Sequence, residues 1–184
     1  MQRIALLAAI LALAACKPPA SDEYVERSRI AGDLTGPSAP IDSPDTEGAI
    51  WAPSEKPDRL LYGKPGERPF LALECETSQG IPLIAYTRFV AADPHAKAIL
   101  ALIGNGHVAR LKIDAVERDN AWLWHGAVEA EDPALDVLTG IREVEATVPG
   151  AGSVILNPSA LPGELVELCR ARAAPEPSPP EDPA

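Results

Sequence analysis

The chain has 184 residues, 27 Asp and Glu against 16 Lys and Arg, and a formal charge of −11. That balance argues against a nucleic-acid partner, whose phosphates demand a basic face, and against a polybasic contact with anionic lipid. Its ordinary meaning is solubility, with an acidic binding surface as the alternative.

The chain opens Met1-Gln2-Arg3, then runs from Ile4 to Ala15 without a charge. A basic start, a short apolar run and small residues form the layout of a signal peptide. About a dozen apolar residues fall short of the roughly 20 that span a hydrocarbon core as a helix. The run closes on Leu13-Ala14-Ala15-Cys16, which resembles the bacterial lipobox, and the resemblance is confined to these first residues. It implies cleavage before Cys16, lipid on its thiol, and a further acyl chain such as palmitate on the freed amine. Small side chains suit entry into a protease cleft, and a thiolate is a strong nucleophile for lipid transfer. The membrane partner is then reached through Cys16, in a periplasm-facing envelope location. Lys17 stands where an Asp favours the inner membrane, which favours the outer. A secretory signal followed by a chance cysteine is the alternative.

Seven of the 20 prolines lie in residues 17–57 and five in residues 171–184. Both stretches are poor in large apolar side chains and bury too little surface to offset chain entropy. Their composition predicts a disordered, lipidated tether over 16–57 and a disordered tail over 171–184, with Trp51 as a spot that could dock on the folded part. Residues 58–170 are left as one domain, long enough for a single core.

With Cys16 assigned to lipid, Cys75 and Cys169 remain. An even pair in an oxidising compartment reads as a disulfide; two buried thiols or a redox pair are the alternatives.

Alternation predicts a hairpin of strands over 69–76 and 81–90 about a turn at Thr77-Ser78-Gln79-Gly80. Ala98–Ile103 is a continuous apolar run. Gly104-Asn105-Gly106 predicts a tight turn into a strand over 107–116, with Ala109, Leu111, Ile113 and Ala115 inward. Arg118-Asp119-Asn120 turns the chain into a strand over 121–128. Asp132-Pro133 starts a short helix to about Leu138. Residues 142–148 place Val144, Ala146 and Val148 inward, and 153–157 form a last strand. Leu161, Leu165, Leu168 and Cys169 make one stripe of a final helix that Ser159 can cap. The fold class is mainly β with some α: six or seven antiparallel strands in a sandwich or partly open barrel, with a C-terminal helix.

Chemistry is sparse in this pattern. His95, His107 and His125 lack metal-ligand spacing, although His107 and His125 fall near strand ends that could be neighbours. Ser153 follows a Gly-Ala-Gly turn rather than a nucleophile elbow. Glu129, Glu131 and Asp132 form an acidic cluster best explained by a helix start. Trp122 and Trp124 share one face of a strand. They are either the largest core residues or a partner or ligand face. No cofactor or metal is called for. The expected role is a non-catalytic, lipid-anchored envelope protein that binds a protein or envelope component. The alternatives are a small-ligand carrier with a pocket between sheet and helix, or, further down, a small hydrolase.

Overall fold

A computed structural model describes residues 39–118 and 121–172. Residues 1–38, which include the expected signal peptide, Cys16 and much of the expected tether, lie outside the described residues, as do 119–120 and 173–184.

Among the described residues nine strands form one antiparallel sheet. They are β1 (Ile50–Pro53), β2 (Arg59–Gly63), β3 (Leu71–Ser78), β4 (Ile81–Ala91), β5 (Lys97–Gly104), β6 (His107–Arg118), β7 (Ala121–Glu129), β8 (Val144–Thr147) and β9 (Ser153–Leu156). A 3-10 helix, Pro133–Leu138, precedes β8, and helix α1, Leu161–Arg170, follows β9. The spatial order is β1-β2-β3-β4-β7-β6-β5-β8-β9, and the sheet curls into a nearly closed barrel. Of the two expected architectures, the barrel is the one adopted.

Turn chemistry sets the registers. Gln79-Gly80 and Asn105-Gly106 all have positive φ, at 52°, 83°, 51° and 82°, the geometry of two-residue hairpin turns matched to strand twist. Asn105 does more than turn the chain. Its Nδ2 donates to Val137 O at 2.8 Å, and its Oδ1 accepts from Arg142 N at 2.9 Å. The β5–β6 hairpin is thereby tied to the 3-10 helix and to the approach to β8. Asn105→Gly keeps the turn and removes both bonds, so it should cost about 1–3 kcal/mol, measured as a shift in the urea midpoint with an unchanged slope.

The inner face carries the core. Leu60 and Tyr62 of β2, Leu71 and Leu73 of β3, Ile84 and Tyr86 of β4, and Leu111 and Ile113 of β6 are buried in one cluster. The alternation expected for β6 is present, with Arg110, Lys112 and Asp114 on the outside. Tyr86 lies opposite Gly126, and a Cβ on that glycine would sit 2.6 Å from the tyrosine ring. The ring therefore occupies the side-chain space of Gly126, while its hydroxyl donates to Lys112 O at 2.7 Å. Burial holds that hydroxyl's pKa up at about 12.

The folded body begins before residue 58. β1 belongs to the sheet, and Trp51, 7 % exposed, tilts against Tyr62 with ring centroids 5.1 Å apart. Before β1, residues 41–49 run along β9, mostly exposed, and are tied to it by hydrogen bonds. Ile41 N donates to Gly150 O, Ser153 N to Ser43 Oγ, and Asn157 Nδ2 to the carbonyls of Thr46 and Ala49. Tyr62 Oη donates to Ile155 O and accepts from Asn157 N. A proline-rich composition hid β1 because its cohesion comes from two aromatic residues and neighbouring side-chain hydrogen bonds rather than from an apolar run.

The 3-10 helix and α1 close one end of the barrel. Asp132 caps the first by accepting from Ala134 N at 2.8 Å, as its place before Pro133 predicts. Ser159 Oγ accepts from Leu161 N at 3.2 Å, one residue ahead of the cap position, Ala160. The buried stripe of α1 is Pro162, Leu165, Val166 and Cys169. Leu168, expected inward, is exposed, since the Cys75–Cys169 disulfide fixes the rotation of the helix and turns Val166 in instead.

Candidate functional site

The disulfide joins β3 to α1 across 94 positions, with Cα atoms 5.5 Å apart. Arg170 supports the same junction. It donates through Nε to Ala130 O and pairs with Asp136 of the 3-10 helix at 2.9 Å and with Glu167 at 2.8 Å. These bonds join α1 to the 3-10 helix and to the end of β7, with the carboxylates of Asp136 and Glu167 at the surface.

Trp122 and Trp124 share a face, as the strand period requires, but it is the inner face. Trp124 lies in the core at 7 % exposure, and Trp122 packs at its edge. They do not form an outward patch. The reason is register: Trp124 stands opposite Ala115 of β6 and Arg88 of β4, both on the concave side, and the small Ala115 leaves room for an indole. Trp122 meets His95 edge-on, with centroids 4.6 Å apart.

His107 and His125 are not neighbours. His107 pairs with Gly104 at the hairpin tip, and His125 pairs with Asp114, seven positions along β6, a separation of about 23 Å at the strand rise. Among the described residues, no three His, Cys, Asp or Glu side chains converge on a metal position. On the outer face His125 Nδ1 lies 3.0 Å from Thr87 Oγ1, and Nε2 lies 3.3 Å from Arg118 Nη2. Burial, then the Arg118 charge, depress the imidazole pKa below its ordinary value. Thr87 is itself buried, so the contact ties β4 to β7 and does not present a hydroxyl. Ser153 exchanges a 2.6 Å hydrogen bond with Thr147 across β8 and β9. Glu129 and Glu131 are exposed.

The crevice between sheet and helices is lined by Trp51, Leu138, Val144, Leu156 and Pro162 among others and has a volume of about 10 Å³. Ligand sites usually enclose ~300–1,000 Å³, so this crevice holds no more than a water. A larger open depression of about 240 Å³ lies elsewhere, over β1, β2 and the loop after Gly63.

The outer face of the β5–β6 hairpin is the feature that the sequence reading missed. Leu100 and Leu102 of β5 point into the core, while Ile99 and Ile103 are 40 % and 52 % exposed. Val108, opposite Ile103, is 59 % exposed, and Ile141, beside the hairpin turn, is 70 % exposed. Arg110 and Lys112 stand opposite Ala101 and Ile99. Among the described residues neither they nor Arg142 enters an ion pair. The signal was the unbroken Ala98–Ile103 run. A strand of an antiparallel sheet with one wet face should alternate, and one that does not is apolar on both faces.

No protein-family model matches the chain, and no curated protein or solved structure matches it.

Proposed function

We propose that the protein is a lipid-anchored component of the bacterial envelope, periplasm-facing and held by acylated Cys16, that docks a protein partner through the outer face of β5 and β6. The observation that carries this reading is the apolar strip Ile99–Ala101–Ile103 with Val108, exposed on a chain of formal charge −11. Exposed apolar surface on a soluble body marks interaction sites. The three cations beside it, unpaired among the described residues, define the partner's chemistry: apolar side chains ringed by carboxylates. Such an arrangement gives electrostatic complementarity at the rim and burial at the centre. Lipid supplies location, and the sheet supplies contact. The outer membrane is the favoured location, from Lys17.

The test is the size of the native protein in mild detergent extracts of envelopes. The wild type is expected to migrate as a complex. Ile103→Glu with Arg110→Glu, both outward-facing substitutions away from the core, should migrate at monomer mass with little change in thermal stability. A double variant that keeps the wild-type mass would remove this face from the contact.

A further inference from the structure

Among the described residues Arg88 is the one buried charged side chain, with 3 % of its surface exposed on the inner face. Its Nη1 donates to Phe70 O at 2.8 Å, while Nε is buried and meets no acceptor among the described residues. Burial alone acts on its ionisation, pulling the guanidinium down to about 10, with no carboxylate beside it to oppose the shift. Arginine at that value is still charged at neutral pH, and an uncompensated buried charge is strongly disfavoured.

Directly across the ladder stands Trp124, whose Nε1 is also buried without an acceptor among the described residues. Opposite residues of an antiparallel pair share a face, with Cβ atoms about 4.5–5.5 Å apart, so the two unmet donors belong to adjacent inward side chains. The ladder is irregular at the next step. Arg88 pairs with Trp124 but Ala91 pairs with Leu123, which leaves Phe89 and Val90 as a bulge. Bulges re-aim side chains and interrupt pairing, often beside binding sites. The half-buried Trp122, against His95, forms the edge of this region.

We infer that Arg88 and Trp124 bind one small anion, of halide or carboxylate size, between the guanidinium and the indole N–H beside the β4–β7 bulge. A single monovalent anion satisfies both donors and neutralises the one buried charge. A water molecule would satisfy the donors and leave the charge standing, which is why anion dependence separates the two. The site is independent of the docking face, which lies on the outer surface of other strands.

The experiment is thermal unfolding of the full protein in detergent, titrated with bromide or acetate, with ionic strength held constant by a bulky sulfonate salt. Saturable stabilisation is expected, with a midpoint rise of roughly 3–6 °C at ten times the dissociation constant. Arg88→Met removes the buried charge at similar volume and should fold at least as stably, yet lose the response. Trp124→Phe retains an aromatic ring, removes the donor and should weaken the response; it decides the matter should Arg88→Met not fold. Midpoints that follow ionic strength alone, or variants that respond as the wild type does, overturn the site.

Discussion

Replacing Cys75 and Cys169 together by alanine should lower the free energy of unfolding by about 4–5 kcal/mol, the chain-entropy value for so long a closed loop. With a urea slope near 2 kcal/mol/M the midpoint should fall by about 2 M. The effect is large because a single domain has only ~5–15 kcal/mol to lose. It is also local in origin. The bond attaches α1, the helix that closes one end of the barrel, to the inner face of β3, where Cys75 is opposite Ile84. Without it, α1 keeps the buried stripe of Leu165 and Val166 and the Arg170 bonds to Asp136 and Ala130. The double variant should therefore still fold, with the helix fraying first and the strands of the hairpin β5–β6 unaffected in hydrogen exchange. A midpoint shift corresponding to less than about 1 kcal/mol would mean that the unfolded chain is already compact around this junction.

The second large effect is all-or-none. Cells grown with labelled palmitate should incorporate label into the wild-type protein, and Cys16→Ser should reduce that label to background. The Cys75→Ala/Cys169→Ala protein should label like the wild type, because it retains Cys16 and loses only the two cysteines that the disulfide occupies. Each buried methylene contributes about 0.8 kcal/mol, and a single chain holds only marginally, so durable anchoring needs the second acyl group that the lipobox resemblance implies. Label that persists in Cys16→Ser, or label that depends on Cys75 and Cys169, would refute lipidation at Cys16.

Much of the fold was legible because its physics is local. The Asn105-Gly106 turn, the β6 alternation, Asp132 as a cap and the inward set Val144, Ala146 and Val148 all follow from residue type and spacing, and the structure bears them out. What stayed hidden depends on distant partners. β1 is short and lies in the proline-rich stretch, β2 is a five-residue strand just beyond it, and both are held by Trp51 against Tyr62 and by hydrogen bonds to β9 and Asn157. Leu168 and Val166 exchange roles because a covalent bond, not the apolar stripe, sets the rotation of α1. Trp122 and Trp124 could not be assigned a side from their period alone, since the strand period fixes which residues share a face and not which face is covered. Arg88 reads in sequence as an ordinary polar residue within a strand. Its burial emerges only when β4 closes against β7.

The docking face is the claim on which the functional account turns, and site-specific photocrosslinking in intact envelopes addresses it most directly. A photoreactive residue at position 103 or 108 should yield one discrete adduct of constant mass, and the same residue at 76, on the outer face of β3, should yield none. Charge reversal at Arg110 and Lys112 should abolish the adduct from 103. Equal crosslinking from all three positions, or no adduct from 103 and 108, would contradict the account.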